Sequence, residues 1–82
     1  MTLRERFAEN LVRARRASGQ TQEDLADRCN LHRTEVSLFE RAGREPRLGA
    51  LVKLASALGV TPEALYAGIG WDEKRQRFTL SK

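Results

Sequence analysis

The feature that most constrains this chain is a helical spacing of apolar residues that is interrupted, at short intervals, by residues that end and restart helices. In the first segment the apolar residues recur three or four positions apart, at Leu3, Phe7, Leu11 and Ala14. This spacing predicts one helix over residues 3–17 with a single buried stripe. Thr2 is expected to cap its start, and Gly19 suits the left-handed position that ends it.

The same alternation predicts four further helices. Thr21, with Asp24 three residues later, approximates a capping box, and Asn30 suits the turn after that helix. Thr61 followed by Pro62 is a strong helix start. The predicted ranges, in chain order, are about 22–29, 32–41, 48–58 and 62–67. Short helices with tight turns predict an all-α fold, a compact five-helix bundle.

The composition changes after Gly70, where Trp71 and a charged run precede the alternating segment of residues 77–80. That alternation favours a short β-strand as a C-terminal extension. We therefore expect a helical domain over residues 1–70 and a C-terminal tail over residues 71–82 that serves dimerisation or packing.

Charge favours a nucleic-acid partner without deciding it. The 82 residues include 15 Lys plus Arg and 11 Asp plus Glu, a net charge of +4. Lysine occurs only at positions 53, 74 and 82, so arginine supplies the other cations. Arginine forms bidentate hydrogen bonds to phosphates and guanine edges, which lysine cannot do. A high-GC codon bias would also favour arginine over lysine.

Several other classes of protein are disfavoured. A single cysteine, Cys29, excludes an internal disulfide and a multi-cysteine metal site, and no cofactor is expected. The longest apolar stretch, around residues 48–60, is broken by Lys53 and Ser56, so we expect no membrane span. Charged residues at positions 4–6 disfavour a signal peptide, and we expect a cytoplasmic protein. No catalytic grouping is evident, so we do not expect an enzyme, nor do we expect a small-molecule effector domain.

The segment 19–66 carries a specific pattern of residues. It contains Gly19-Gln20-Thr21-Gln22-Glu23-Asp24-Leu25-Ala26, then Leu31, Thr34, Val36-Ser37, Phe39-Glu40-Arg41, Pro46 and Leu54-Ala55-Ser56-Ala57-Leu58-Gly59-Val60. This pattern resembles the Cro/C1-type (XRE) helix-turn-helix family. The resemblance implies a lambda-repressor-like domain and a sequence-specific transcriptional regulator, a repressor or controller. It also implies a homodimer bound to double-stranded DNA at an operator with two half-sites.

The resemblance also implies which residues contact DNA, with the third helix as the recognition helix. Matching positions are Gln22, His32, Arg33, Thr34, Ser37, Leu38, Arg41, Arg44 and Arg47. Gln22 would approach a phosphate, or it is simply a solvated residue at a helix start. Arg33 would fork onto a guanine or clamp a phosphate, and His32 would bind a phosphate or cap the helix.

Two positions in the third helix are open to more than one interpretation. Leu38 departs from the polar residue that the family commonly carries there, so it would contact a thymine methyl or remain an isolated exposed leucine. Glu35 would accept from cytosine, repel the backbone from a wrong register, or pair with a nearby arginine.

Glu40 falls on the core side of the third helix, where an unpaired carboxylate would be costly. Family members pair this glutamate with an arginine of the first helix, and the matching position is Arg15. The resemblance therefore implies a structural ion pair between Arg15 and Glu40 that sets the angle between these helices.

The end of the chain is the expected dimer interface, since family dimers often meet through the fifth helix and the segment after it. The matching residues are Leu65, Tyr66, Ile69, Trp71, Phe78 and Leu80. The tail would add a strand across the partner, or Trp71 and Phe78 would fold back on their own core. An alternative class is an antitoxin-like module that binds a protein partner through this tail and also binds its own promoter.

Overall fold

A computed structural model describes residues 1–81. In chain order the elements are α1 Leu3–Ser18, α2 Gln22–Cys29, α3 Arg33–Glu40, α4 Leu48–Leu58, α5 Pro62–Leu65, β1 Ile69–Asp72 and β2 Arg77–Leu80. The five-helix bundle predicted from the sequence is confirmed, as is the strand over residues 77–80. The fifth helix is shorter than expected. The strand β1 was not predicted, and it begins ahead of the expected domain boundary at residue 70.

Local signals set the helix ends. Thr2 and Thr21 each accept a hydrogen bond from the backbone N–H three residues later, completing capping boxes at the starts of α1 and α2. Gly19 ends α1 with φ of 75°, and Asn30 ends α2 with φ of 53°. Both are left-handed conformations that Gly adopts freely and Asn tolerates, and the predictions for these caps are confirmed.

The core lies where the apolar stripes of the helices meet. Phe7 of α1 and Phe39 of α3 pack edge to face, with ring centroids 6.3 Å apart. The buried cluster consists of Phe7, Leu11, Leu25, Ala26, Cys29, Val36, Phe39, Leu54, Ala55, Leu58 and Leu65. Burial raises the pKa of the Cys29 thiol, which keeps it protonated as a small apolar core residue. None of the helices described is long and apolar enough to cross a membrane.

The strands form an antiparallel hairpin within one chain, in which Ile69 pairs with Leu80 and Trp71 with Phe78. The neighbour of β2 is β1 of the same chain, and addition of the tail as a strand across a partner stays a prediction. The alternative that Trp71 and Phe78 fold back on their own core is wrong, since both side chains are exposed.

One residue of the expected dimer interface requires correction. The side chain of Leu65 is fully buried in the core of its own chain, with 0% exposure. A partner cannot reach it without unfolding α5, so Leu65 does not belong to an interface. Tyr66, the next residue, is exposed.

Candidate DNA-binding surface

The surface is built on α2, a tight turn and α3. Leu31 in the turn donates its backbone N–H to the carbonyl of Ala26, at 2.9 Å, which closes the chain back onto α2. Val36 and Phe39 lie in the core, and this fixes which side of α3 faces outward. On the outward side His32, Arg33 and Thr34 are exposed, whereas Ser37 and Leu38 are half-buried.

The start of α3 is capped by its own residues. His32 occupies the N-cap position, and its backbone N–H donates to the carboxylate of Glu35 at 3.2 Å. Among residues 1–81 Glu35 forms no ion pair, so the alternative in which it pairs with an arginine is wrong. The capping contact holds a carboxylate in the first turn of α3, where the helix dipole favours negative charge.

Leu38 has a neighbour within its own chain. Gly43 donates its backbone N–H to the carbonyl of Leu38 at 2.8 Å. A Cβ added to Gly43 would lie 3.2 Å from Leu38 Cδ2. The loop after α3 therefore covers part of this leucine, so Leu38 is not an isolated exposed leucine. Contact with a thymine methyl stays a prediction.

Cations surround the end of α3 and the start of α4. Arg41 folds back so that its Nε donates to the carbonyl of Ser37 at 3.3 Å. Arg44 and Arg47 are exposed, and they line an open cleft of about 740 Å³ between α3 and α4. The other residues of the cleft are Leu31, Glu35, Phe39, Glu45, Gly49, Ala50 and Lys53.

Lys53 is a cation of this cleft that the sequence reasoning missed. Its spacing from Gly49 and Ala50, four and three residues earlier, places all three on one face of α4. Arg47 is the N-cap of α4, but six positions separate it from Lys53, which is not a helical repeat, so no spacing in the sequence linked Lys53 to the arginines. The cleft thus combines three cations with two carboxylates.

The structure brings Arg15 and Glu40 together. Arg15 Nε lies 2.5 Å from Glu40 Oε2, and Arg15 Nη2 lies 2.9 Å from Glu40 Oε1. Both side chains are well buried, with 15% and 6% exposure. Arg15 Nη1 also donates to the carbonyl of Gln20 at 3.0 Å. A bidentate pair of this kind fixes both distance and orientation, so α1 is joined to the end of α3.

Gln22 belongs to the same network, because its Nε2 donates to Glu40 Oε1 at 3.0 Å. Gln22 is therefore not simply solvated. Its amide links the first residue of α2 to the last residue of α3. Approach of Gln22 to a phosphate stays a prediction.

Protonation in this network is set by its contacts. Burial alone would raise the pKa of Glu40, but hydrogen bonds from Arg15 and Gln22, together with the charge of Arg15, outweigh burial and lower it. The hydrogen bond to Glu40 raises the pKa of Arg15. Both groups are therefore charged at neutral pH, and the pair is a true ion pair.

Two short helices joined by a tight turn, with the outer face of the second exposed and cations at its end, define a helix-turn-helix DNA-binding protein. The family model HTH_3, described as helix-turn-helix, matches residues 11–65. The match covers more than half of the chain, which therefore belongs to this family of DNA-binding transcriptional regulators.

Relatives agree with this assignment. Control protein C.BamHI from Bacillus amyloliquefaciens is 46% identical over 48 residues, which cover 58% of this chain and 59% of that protein. The crystal structure of the hypothetical transcription factor NHTF from Neisseria has a TM-score of 0.74 and 41% identity, covering 78% of this chain and 74% of that one. The restriction-modification controller protein C.AhdI from Aeromonas hydrophila gives a TM-score of 0.74 and 36% identity, over 77% and 96% of the two chains. The chain is thus a transcriptional regulator similar to restriction-modification controller proteins, and not an enzyme.

Proposed function

We propose that this regulator binds an operator of two half-sites as a homodimer, with α3 of each copy in the major groove of one half-site. The observation that carries the proposal is that α3 has one side buried in the core and the other side exposed to solvent. Val36 and Phe39 fix one side in the core, while His32, Arg33 and Thr34 stand exposed at the N-terminal end. Recognition helices of helix-turn-helix proteins present that end to the base edges.

Within this arrangement Arg33 reads sequence. It is exposed, and its guanidinium has the fork geometry that matches O6 and N7 of guanine, which is worth about 1–3 kcal/mol of discrimination. Thr34 and Leu38 offer methyl groups to thymine. Ser37, three residues after Thr34, supplies a hydroxyl on the same side of the helix.

The groups around α3 hold the DNA backbone. Gln22 lies at the start of α2, where free backbone N–H groups favour a phosphate. Arg41, Arg44 and Arg47 come after α3, and their charges would release counterions from the duplex. Glu45 and Glu35 lie in the same cleft, so we expect modest nonspecific affinity, with specificity arising from a few base contacts.

The names of two similar proteins describe them as control or controller proteins. We propose that this chain is a controller or repressor of this kind. The similarity extends over residues that include α2 and α3, which are the elements that would carry the DNA contacts.

Selection of bound sequences from a random duplex pool tests the proposal. We expect enrichment of a site with two symmetric halves. Arg33→Ala should then relax the sequence preference at one base pair of each half-site. If the variant instead loses affinity equally for all DNA sequences, Arg33 contacts a phosphate and not a base. Lys74→Ala, in the turn between the strands, is the control and should leave the preference unchanged. Failure of the pool to yield any preferred sequence would refute sequence-specific binding.

A further inference from the structure

The C-terminal hairpin exposes two aromatic side chains, and it lies beyond the region that matches the family, which ends at residue 65. We propose that this hairpin binds single-stranded DNA. Trp71 and Phe78 stack on unpaired bases, and Arg77 contacts a phosphate of the same strand. These three residues form what we call the stacking surface. It is separate from α3 and gives the regulator a second contact with nucleic acid.

Strand alternation places the two rings side by side. Trp71 of β1 pairs with Phe78 of β2 across the hairpin, so both side chains lie on one side of the sheet. Their ring centroids are 5.0 Å apart, at an interplanar angle of 66°. In such an edge-to-face pair, one ring leaves the faces of the other uncovered. Trp71 is 50% exposed and Phe78 is 54% exposed, so both rings are accessible to a further aromatic group.

The exposed rings favour an unpaired strand over a duplex. In a duplex the bases are stacked on one another, and a protein meets phosphates, sugars and base edges. Aromatic side chains gain little from that surface. On a single strand they stack on the bases themselves, whatever the sequence, because every base has a π-face.

A shallow depression of about 600 Å³ runs along β2 beside Phe78. Arg77 lines it, is exposed, and forms no ion pair among residues 1–81. Arg6 also lines it, but this side chain is 15% exposed and lies 3.8 Å from Glu9, so it adds charge rather than a direct contact. The other residues of the depression are Met1, Thr79 and Leu80, and none of its lining residues is a carboxylate. A guanidinium that can hold a phosphate therefore lies next to an aromatic ring.

The remaining charges of the hairpin agree with a phosphate partner. Lys74, Arg75 and Arg77 outnumber Asp72 and Glu73. The Asp72 carboxylate accepts hydrogen bonds from the Arg75 side chain, at 3.0 Å, and from the backbone N–H groups of Lys74 and Arg75. Because its register partner is Arg77, Asp72 also lies on the side of the sheet opposite the two rings. The net positive charge attracts phosphates.

The shape of the surface favours a chain of nucleotides over a free nucleotide. Sites for small ligands are concave and bury about 70–90% of the ligand, whereas this depression is open along β2. An open surface gains affinity by contacting successive nucleotides of one strand. The choice of DNA over RNA rests on the proposed function, which brings the chain to DNA.

The hairpin is a fixed platform, because its base is bonded to α1. Asn10, which is buried, donates its two Nδ2 hydrogens to the carbonyls of Leu65 and Ala67, at 3.0 and 3.1 Å. Arg6 donates to the carbonyl of Ser81, and Ser81 donates its N–H to the carbonyl of Gly68 at 2.7 Å. Rings on an anchored platform lose little freedom when a base stacks on them.

The fluorescence of Trp71 tests the proposal, since this is the only tryptophan in the chain. Oligothymidylate of about ten nucleotides, added to the full chain at low salt, should quench the emission in a saturable manner. A duplex of the same length should not quench it, even where it binds elsewhere on the protein. Inorganic polyphosphate, a phosphate chain without bases, should not quench it either. Absence of quenching by oligothymidylate, or equal quenching by the duplex or by polyphosphate, would refute stacking on unpaired bases.

Variants of the aromatic ring locate the site. Phe78→Ala should raise the dissociation constant of oligothymidylate about tenfold, because it removes one stacking ring. Phe78→Tyr keeps a ring and should change the constant by less than about threefold. Val52→Ala, which removes a side chain that is 50% exposed on α4, is the control and should have no effect. Equal affinities of Phe78→Ala and the unmodified chain would overturn the assignment, as would a loss in Phe78→Tyr as large as in Phe78→Ala.

A variant of the arginine tests the phosphate contact. Arg77→Gln should reduce the slope of log affinity against log salt concentration by about 0.7, the value for one phosphate of a single strand. Arg28→Gln removes an exposed arginine of α2 and should leave the slope unchanged. A slope that is retained in Arg77→Gln, or that falls equally in Arg28→Gln, would remove Arg77 from the stacking surface.

Three further measurements separate failure of this inference from failure of the proposed function. Circular dichroism checks that each variant is folded. Arg33→Ala should leave the titration with oligothymidylate unchanged, and Phe78→Ala should leave the preferred duplex sequence unchanged. Quenching without any preferred duplex sequence would leave the stacking surface standing while the proposed function fails. Quenching by oligouridylate but not by oligothymidylate would overturn the choice of DNA.

Discussion

Replacing Glu40 with glutamine tests the ion pair between α1 and α3. Glutamine keeps the shape and one acceptor oxygen but removes the charge that faces the Arg15 guanidinium. Removing one partner of a fully buried pair costs about 3–5 kcal/mol. Arg15 is 15% exposed and keeps its bond to Gln20, so we expect a loss of about 2–3 kcal/mol. In a domain of this size that lowers the melting temperature by about 10–20 °C, while the helical spectrum is retained.

The pH dependence of this loss is a second readout. Hydrogen bonds hold the pKa of Glu40 below its ordinary value of 4.5. Its ionised form therefore stabilises the fold above that value, and this contribution disappears as the pH falls through the lower pKa of the folded state. The difference in unfolding free energy between the unmodified chain and Glu40→Gln should be constant near neutral pH and should shrink below about pH 4.5.

Urea denaturation at several pH values, followed by circular dichroism, measures both effects. Glu45→Gln is the matched control, because Glu45 is exposed and forms no ion pair among residues 1–81. It should change stability by less than about 0.5 kcal/mol. If Glu40→Gln has the same free energy of unfolding as the unmodified chain, or if the difference between the two does not depend on pH, the ion pair does not stabilise the fold and the reasoning fails.

Three further changes probe the loop, the hairpin junction and the DNA contacts. Ala42→Gly should raise the free energy of unfolding by about 1 kcal/mol, because Ala42 has φ of 60°, a conformation that costs L-residues about that much. The control is Asn30→Gly, at φ of 53°, which should change the free energy of unfolding less. Thermal melting compares the two variants. Gly68→Ala should lower stability by about 2 kcal/mol in the same assay, because its Cβ would collide with the carbonyl of Ser81; an unchanged melt would contradict the close approach. Arg44→Ala should reduce the slope of log affinity against log salt concentration by about one unit, and a retained slope would remove Arg44 from the phosphate contacts.

The features that the sequence predicted well are determined locally. Thr2 and Thr21 bond to backbone N–H groups three residues away, and Gly19 needs only its own φ to end a helix. The apolar stripes were equally readable, because helical spacing alone decides which side of a helix is buried. These signals also determined the position of α3, and with it the exposure of Arg33 and Thr34.

The features that it missed depend on distant parts of the chain. β1 contains Gly70, a poor strand former, and it exists because β2 pairs with it across a turn. Leu65 was expected at an interface, but packing of α5 on α1 and α4 buries it. The bond from Gln22 to Glu40 spans 18 positions, and no pattern within one helix predicts it. Lys53 and Arg44 line the same cleft only because folding brings α4 and the loop after α3 to the same side of the molecule.

Two distant parts of the chain are joined to α1, which contacts no base in the proposed complex. Near its start, Arg6 and Asn10 bind the segments that flank the hairpin, and near its end Arg15 binds Glu40 of the recognition helix. The rise between positions 6 and 15 of a helix is about 13 Å, and a helix of that length transmits orientation with little bending. The position of the C-terminal hairpin relative to α3 is thus set by one helix.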